Sequence, residues 1–386
     1  MFRFSINPCV MYHLTREQLL NDLYFAFSDA KRHKSQKPYV KSFERRLDDN
    51  LQVLCDELWQ RTYQPRPSTC FIITDPKKRE VFAADFRDRI VHHLYYNYTH
   101  ELFERTFIQD AYSCIEGRGT HYGINRLAQH IRQVSHNYSL PCYVLKMDIR
   151  GYFMHINRER LLDICLTTLQ KMSLHRVLKR AGVLWRDTVD MDFVKYLTRE
   201  IVLLDPTVNC HIEGDLHDWD NLPHDKSLFR SPVGCGLPIG NLTSQLYSNI
   251  YLNVLDQFMK RELHCKHYGR YVDDFYVVSG DREWLRSLVK PVRDFLQDEL
   301  QLTLHDGKIC IYPLQYGVPF VGMYLKPWRM TVSRECVKRM KQKQRLLLDG
   351  LHRGEYSVLR VAQAYASFCG VLSHGFNSCV LSCFEL

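Results

Sequence analysis

Fourteen cysteines are spread through the 386 residues, yet no two stand as a C-x-x-C pair. Zinc sites and compact disulfide frameworks usually carry such spacing, so these cysteines read as reduced thiols, mostly core filler. The opening stretch MFRFSINPCVMYHLTREQLL lacks the charged, apolar, small-residue order of a signal peptide. No run approaches the roughly 18 apolar residues that a membrane-spanning helix needs. A cytoplasmic protein with no membrane partner is therefore expected. Internal repeats and low-complexity segments are also missing.

What is present is the balance of an ordinary folded protein, 45% hydrophobic and 25% charged residues. The length suits two or three packed subdomains. Lys and Arg outnumber Asp and Glu by 52 to 43, a net charge of +9. That excess permits a polyanionic partner without requiring one.

Helical spacing runs through about 14 to 62, with Leu19, Leu20, Leu23, Phe25 and Phe27, then Leu47, Leu51, Leu54 and Leu58. FIITD and VFAAD flank the basic turn Pro76-Lys77-Lys78-Arg79-Glu80 and read as a strand, a turn and a returning strand. Helical patterning returns over Phe86 to Phe103. YVLKMDI (143–149) alternates and reads as a buried strand ending at an acid, followed by a helical region to about 204. The stretch 205–229, rich in Asp, Asn, Pro and His, reads as a loop insertion. A helix is expected from Ser244 to about Leu263, a hairpin over 267–280, and a helix over 282–299. A second hairpin-like stretch follows (LTLHDGKICIYP, then VPFVGMYL), and a helical end from 333 that is basic in its first half.

Four segments carry chemistry. In Tyr271-Val272-Asp273-Asp274-Phe275, two adjacent carboxylates sit between apolar strand residues, where like charges repel and burial is unfavourable. A divalent cation on the pair removes that penalty; a plain hairpin turn with both acids in water is the bland alternative. Lys146-Met147-Asp148-Ile149-Arg150-Gly151-Tyr152-Phe153 offers a third carboxylate, if neighbouring antiparallel strands bring Asp148 beside the Asp-Asp turn. Three carboxylates with substrate phosphates suit magnesium, an oxygen-seeking octahedral ion. Two such ions about 3.5–4 Å apart can activate an attacking 3′-hydroxyl and steady leaving pyrophosphate. Gly236-Leu237-Pro238-Ile239-Gly240-Asn241-Leu242-Thr243-Ser244-Gln245 is a Gly-rich turn opening a helix, which lets backbone approach a base pair closely. Lys77, Lys78 and Arg79 form a basic turn able to hold a triphosphate. The order of these pieces, ending in Lys308 on a following strand, is what gives them weight together.

In that order the chain resembles a reverse transcriptase over roughly 70 to 380. The resemblance implies an α+β right-hand polymerase fold: an N-terminal helical extension (1–62), fingers and palm interleaved (63–325), and a helical thumb (326–386). The palm would be an antiparallel sheet with helices. It implies an RNA-directed DNA polymerase with two Mg2+ ions held by Asp148, Asp273 and Asp274, with Ile149 also at the metal site. Lys308 matches the lysine that is a candidate proton donor to pyrophosphate. Lys77 and Arg79 match triphosphate-holding positions, and Phe153, five residues after Asp148, a gate against a ribose 2′-hydroxyl. Ile239 and Gly240 stand where the common pattern has Gln-Gly, and are candidate fidelity determinants. Phe320, Val321 and Gly322 resemble a primer-grip hairpin, and Tyr271 joins them as a primer or template contact.

Three stretches, PKKREVFAADFRDRIVHH (76–93), LPHDKSLF (222–229) and GLPIGNLTSQLYSNIYLN (236–253), are similar to the enzymes of bacterial diversity-generating retroelements and of related antiphage defence systems. The implied partners are an RNA template, a DNA product and an accessory protein. The template would be a dedicated non-coding or retroelement RNA. The alternatives are the same chemistry in defence, with protein-primed or repetitive DNA synthesis, and a catalytically silent RNA-binding scaffold. No RNase H or endonuclease segment is recognisable.

Overall fold

A computed structural model of the chain describes residues 13–75, 77–171, 175–180, 183–188 and 190–373. The chain forms two compact units, one from residues 1–108, 150–256 and 295–303, the other from 109–149, 257–294 and 304–386. Among the described residues no helix is long and apolar enough to cross a membrane. The described cysteines are free thiols; Cys55, Cys70, Cys142, Cys165 and Cys265 are buried, but Cys114 and Cys369 are exposed, so fewer than half of them fill the core.

In the first unit, Thr15 caps the helix Arg16–Ala30 in a capping box with Gln18. Leu19, Leu23, Ala26, Phe27 and Ala30 recur at helical spacing and are buried on one face. Polar bonds tie this helix to Phe86–Glu104: the Tyr98 hydroxyl donates to Asp22 at 2.5 Å and the Asn97 amide to Asp29 at 3.0 Å. The N-terminal helices thus share a unit with residues beyond 62, and residues 1–12 of the expected extension lie outside the described part.

Ser68–Ile73 pairs antiparallel with Arg79–Ala83, which puts the basic turn at the tip of a hairpin as expected. The stretch 205–229 is more than a loop. Cys210–Ile212 adds a parallel strand to the open side of Ser68–Ile73, and three short 3-10 turns follow. An open strand edge exposes unpaired main-chain groups, and this strand covers it. The expected helical run to about 204 is also interrupted. Between the helices Arg158–Gln170 and Met191–Val202, the strands His175–Arg180 and Val183–Thr188 pair as a hairpin. Their sequences, HRVLKR and VLWRDT, lack a 3.6-residue apolar repeat.

The second unit holds a four-stranded antiparallel sheet in the order Tyr268–Tyr271, Asp274–Ser279, Tyr143–Asp148, Cys310–Pro313. The helix Thr120–Val134 lays Ile124, Leu127 and Ile131 into the same core as Val144, Tyr276 and Val278. That core continues into a three-stranded sheet, Val318–Phe320, Met323–Lys326 and Arg329–Val332. It also takes in Met340 and Leu347 of the helix Arg334–His352, and Val361, Phe368 and Leu372 of Val358–Ser373. The helical end thus shares its core with the sheets; its last residues, 374–386, lie outside the described part.

The expected second hairpin does not form as one unit. Cys310–Pro313 joins the acid-bearing sheet, while Val318–Phe320 opens the other sheet. Pro313, the turn Leu314–Tyr316 and Gly317 at φ 91 redirect the chain between them.

Candidate active site

Strand register brings the acids together. Asp148 lies opposite Asp274 as the terminal pair of two antiparallel strands, and Tyr271 pairs with Asp274 so that Val272 and Asp273 form a two-residue turn. The ladder on either side is apolar and buried: Val144, Leu145 and Met147 on one strand, Phe275, Val277 and Val278 on the other. Burial first, then the Asp148 charge and the Asp274 charge, push the Asp273 carboxyl up to about 6. Burial also raises Asp274, against the pull of the Lys146 ammonium. The three carboxylates are thus close enough to repel one another.

Two lysines answer that repulsion. Lys146 Nζ donates to Asp274 at 3.0 Å and Lys308 Nζ to Asp148 at 2.8 Å. Strand residues two apart share a face, which is why Lys146 reaches the acid opposite Asp148. Among the described residues, no group of three or more His, Cys, Asp or Glu side chains is gathered tightly enough to hold a metal ion as it stands. The donor set nevertheless fits a hard divalent cation: three mutually repelling carboxylates on adjoining strand ends, with ammonium groups in contact with two of them.

Other expected residues fall differently. Lys308 sits in the short 3-10 turn Asp306–Lys308 rather than in a strand, because the chain bonds locally through Lys308 N–H to the His305 carbonyl. Ile149 is 1% exposed and offers a metal only its main-chain carbonyl. Phe320 is also 1% exposed, with its ring edge-on to Tyr276 at 5.1 Å. Its side chain is core, not a contact surface for a primer. Val321 and Gly322 form the two-residue turn between Phe320 and Met323, both at positive φ, with Gly322 exposed. Tyr271 is half-buried, its hydroxyl 3.5 Å from that of Thr120.

The expected nucleotide-binding residues all belong to the first unit, where a shared cluster gathers two of them. Phe153 and Ile239 pack against the buried Cys70, Phe82, Met154 and Leu228. The Gly-rich turn is bonded to both neighbours: Leu237 N–H donates to the Phe153 carbonyl at 2.8 Å, and Phe82 N–H to the Ile239 carbonyl at 2.9 Å. Gly240 is required there, since its φ is 129 and a Cβ would stand 2.8 Å from the Phe82 carbonyl oxygen. Tyr152 is buried, with its hydroxyl on the Ser248 carbonyl at 2.6 Å, and is a core residue. Lys77 and Arg79 are exposed, whereas Lys78 donates to the Asp220 carbonyl at 2.6 Å.

Sequence reasoning passed over Glu80. It is 1% exposed and accepts from Trp219 Nε1 at 2.7 Å, the Ser227 hydroxyl at 2.8 Å and Leu228 N–H at 2.5 Å. Those donors come from the stretch read as a loop insertion, and nothing local to Glu80 signals them. Lys146 could have been found, because strand alternation alone places it on the face of Asp148.

The family model described as reverse transcriptase (RNA-dependent DNA polymerase) matches residues 76–325. Among curated proteins, Protein YkfC of Escherichia coli (strain K12) is 25% identical over 313 residues, 72% of each chain. Among solved structures, telomerase of Candida albicans in complex with a TWJ fragment of telomeric RNA aligns at TM-score 0.47 and 10% identity, over 74% of this chain and 52% of that one. Apo telomerase of Candida tropicalis aligns at TM-score 0.49 and 10% identity, over 72% and 50%. This chain spans about half the length of those telomerase chains. With the family match covering well over half of its 386 residues, this chain belongs to the reverse transcriptase family, the RNA-dependent DNA polymerases.

Proposed function

We propose that this chain adds deoxynucleotides to a primer on an RNA template, with two magnesium ions held by Asp148, Asp273 and Asp274. The observation that carries the reading is the register that sets Asp148 opposite Asp274, with Asp273 in the adjoining turn. A packed sheet has no structural need for three repelling carboxylates at one end, which argues against a silent RNA-binding scaffold. When bound, the metal ions supply charge neutralisation and activation of the attacking hydroxyl.

The chain's own residues do the rest. Asp148, Asp273 and Asp274 supply the oxygen ligands, joined by the Ile149 carbonyl. Lys308, half-exposed on Asp148, is the group to give a proton to departing pyrophosphate. Lys77 and Arg79, exposed at their hairpin tip, hold the triphosphate by charge-assisted hydrogen bonds. Phe153 excludes a 2′-hydroxyl, and Ile239 with Gly240 contacts the incoming base pair. Tyr271, Val321 and Gly322 contact primer or template. The basic face of Arg334–His352 grips backbone phosphates without reading sequence.

The template is a dedicated RNA of a retroelement or a defence system, handled with an accessory protein. Sequencing the nucleic acid that copurifies with the wild-type chain and with Asp273→Ala/Asp274→Ala tests this. A discrete RNA with both, and complementary DNA with the wild type alone, is expected. Adenine-directed errors in that DNA favour diversification, and repetitive or protein-linked DNA favours defence. Complementary DNA in both preparations, or in neither even after magnesium, primer and deoxynucleotides are added, would overturn the reading.

A further inference from the structure

The turn that presents Asp273 is bent against the preference of its own sequence. Val272 has φ +56, in the left-handed region where a β-branched residue is a true outlier. Turns of this kind normally carry Gly, Asn or Asp at a position of positive φ. A valine persists in such a conformation only where its surroundings over-determine it.

The surroundings do so at both of its main-chain groups. The Ser113 hydroxyl accepts Val272 N–H at 3.2 Å, and Arg270 Nη1 donates to the Val272 carbonyl at 3.0 Å. Arg270 is fully buried and Ser113 is 3% exposed, so neither partner is a mobile surface group. Both belong to one frame. Residues 110–113 run beside the strand Tyr268–Tyr271, with Arg270 N–H donating to the Asp110 carbonyl at 2.8 Å and Tyr112 N–H to the Arg270 carbonyl at 3.0 Å. The Asp110 carboxylate is itself bound by Arg126 at 2.7 Å, from the helix Thr120–Val134. The Tyr112 hydroxyl meets that of Tyr276, on the Asp274 strand, at 2.8 Å.

We infer that Ser113 and Arg270 are positioning residues: they hold Val272 in its left-handed bend and so fix where the Asp273 carboxylate points. The inference rests on the polymerase reading of the acids. Released from the clamp, Val272 relaxes toward extended backbone and turns the neighbouring carboxylate away.

The test is single-turnover nucleotide addition by the full chain on a DNA primer annealed to RNA, with primer-template affinity measured alongside. Ser113→Ala is expected to slow addition on the order of tenfold or more, the scale of a slightly misplaced catalytic group, with primer-template affinity kept. Asparagine enters the left-handed region readily, so in a Val272→Asn background the same Ser113→Ala change is expected to slow addition only about twofold. An unchanged rate on Ser113→Ala, or an equal loss in both backgrounds, overturns the clamp. So does a Ser113→Ala chain that loses cooperative unfolding or primer-template binding, since a local clamp leaves the core in place. A wild-type chain that adds no nucleotide sinks the polymerase reading instead. The clamp is then judged by hydrogen exchange at the Val272 amide, which Ser113→Ala must accelerate.

Discussion

The acid-bearing sheet and the basic hairpin use the same residue types in opposite ways. In the sheet, carboxylates crowd the ends of buried strands, a fully buried Arg270 supports the turn, and Asp273 is pushed up to about 6 by burial and its neighbours. In the hairpin, Lys77 and Arg79 face water, and the carboxylate of Glu80 is buried with three donors converging on it. The sheet keeps an electrostatic conflict that folding alone does not need; the hairpin has resolved its conflict completely. A conflict held in place marks chemistry, whereas a resolved one marks architecture.

That contrast makes the two regions fail differently. In the sheet, Asp148→Asn is expected to slow nucleotide addition by about 1000-fold or more, the scale of losing a principal electrostatic group. Thermal unfolding should show no loss of stability, because the change removes a charge that Asp273 feels and breaks only a half-exposed contact with Lys308. A variant that melts markedly earlier would place Asp148 on the architectural side. In the hairpin, Glu80→Ala strands the Trp219, Ser227 and Leu228 donors and should destabilise the chain by about 2–4 kcal/mol. Denaturant unfolding reads this, and hydrogen exchange should rise across 210–230.

An effect of intermediate size is expected where the Gly-rich turn opens its helix. The buried imidazole of His92 contacts the Thr243 hydroxyl at 2.7 Å, and burial pushes its pKa down to about 3. The unfolded chain, near 6.5, therefore binds the proton more readily than the folded one. Stability from this residue is complete above pH 6.5 and is lost as pH falls toward 3. From pH 7 to pH 5 the loss is about 2 kcal/mol. Denaturation midpoints at both pH values should fall less for His92→Gln than for the wild type. The smallest effect belongs to the hairpin tip: Lys77→Ala and Arg79→Ala should each change stability by less than about 0.5 kcal/mol. Each should raise the KM for deoxynucleotide triphosphate, and a KM unchanged in both would remove them from triphosphate binding.

What could be read in advance follows the same division. Asp273 and Asp274 stood out because adjacent acids inside an apolar strand pattern are locally improbable, and Asp148 because it ends an alternating strand. The pairing of Asp148 with Asp274 was a conjecture until register supplied it, since strand choice depends on contacts far apart in sequence. The strand Cys210–Ile212 escaped notice because it is three residues long and pairs with Ser68–Ile73, about 140 residues earlier. Phe320 was misplaced because a buried and an exposed strand residue carry the same local pattern when both faces of a sheet are covered. The support from Ser113 and Arg270 left no mark at all, for a hydroxyl and a guanidinium acquire that role only by meeting one main-chain turn.

The central claim is that Asp148, Asp273 and Asp274 perform metal-dependent DNA synthesis on RNA, and single-nucleotide addition by the full chain across a magnesium titration tests it most directly. Wild type and Asp273→Asn are compared on the same DNA primer annealed to RNA, including RNA copurified with the chain. The account predicts magnesium-dependent addition by the wild type, and equal primer-template affinity with addition slowed about 1000-fold or more in the variant. Addition by Asp273→Asn at the wild-type rate, or none by the wild type on any RNA at any magnesium concentration, would contradict it.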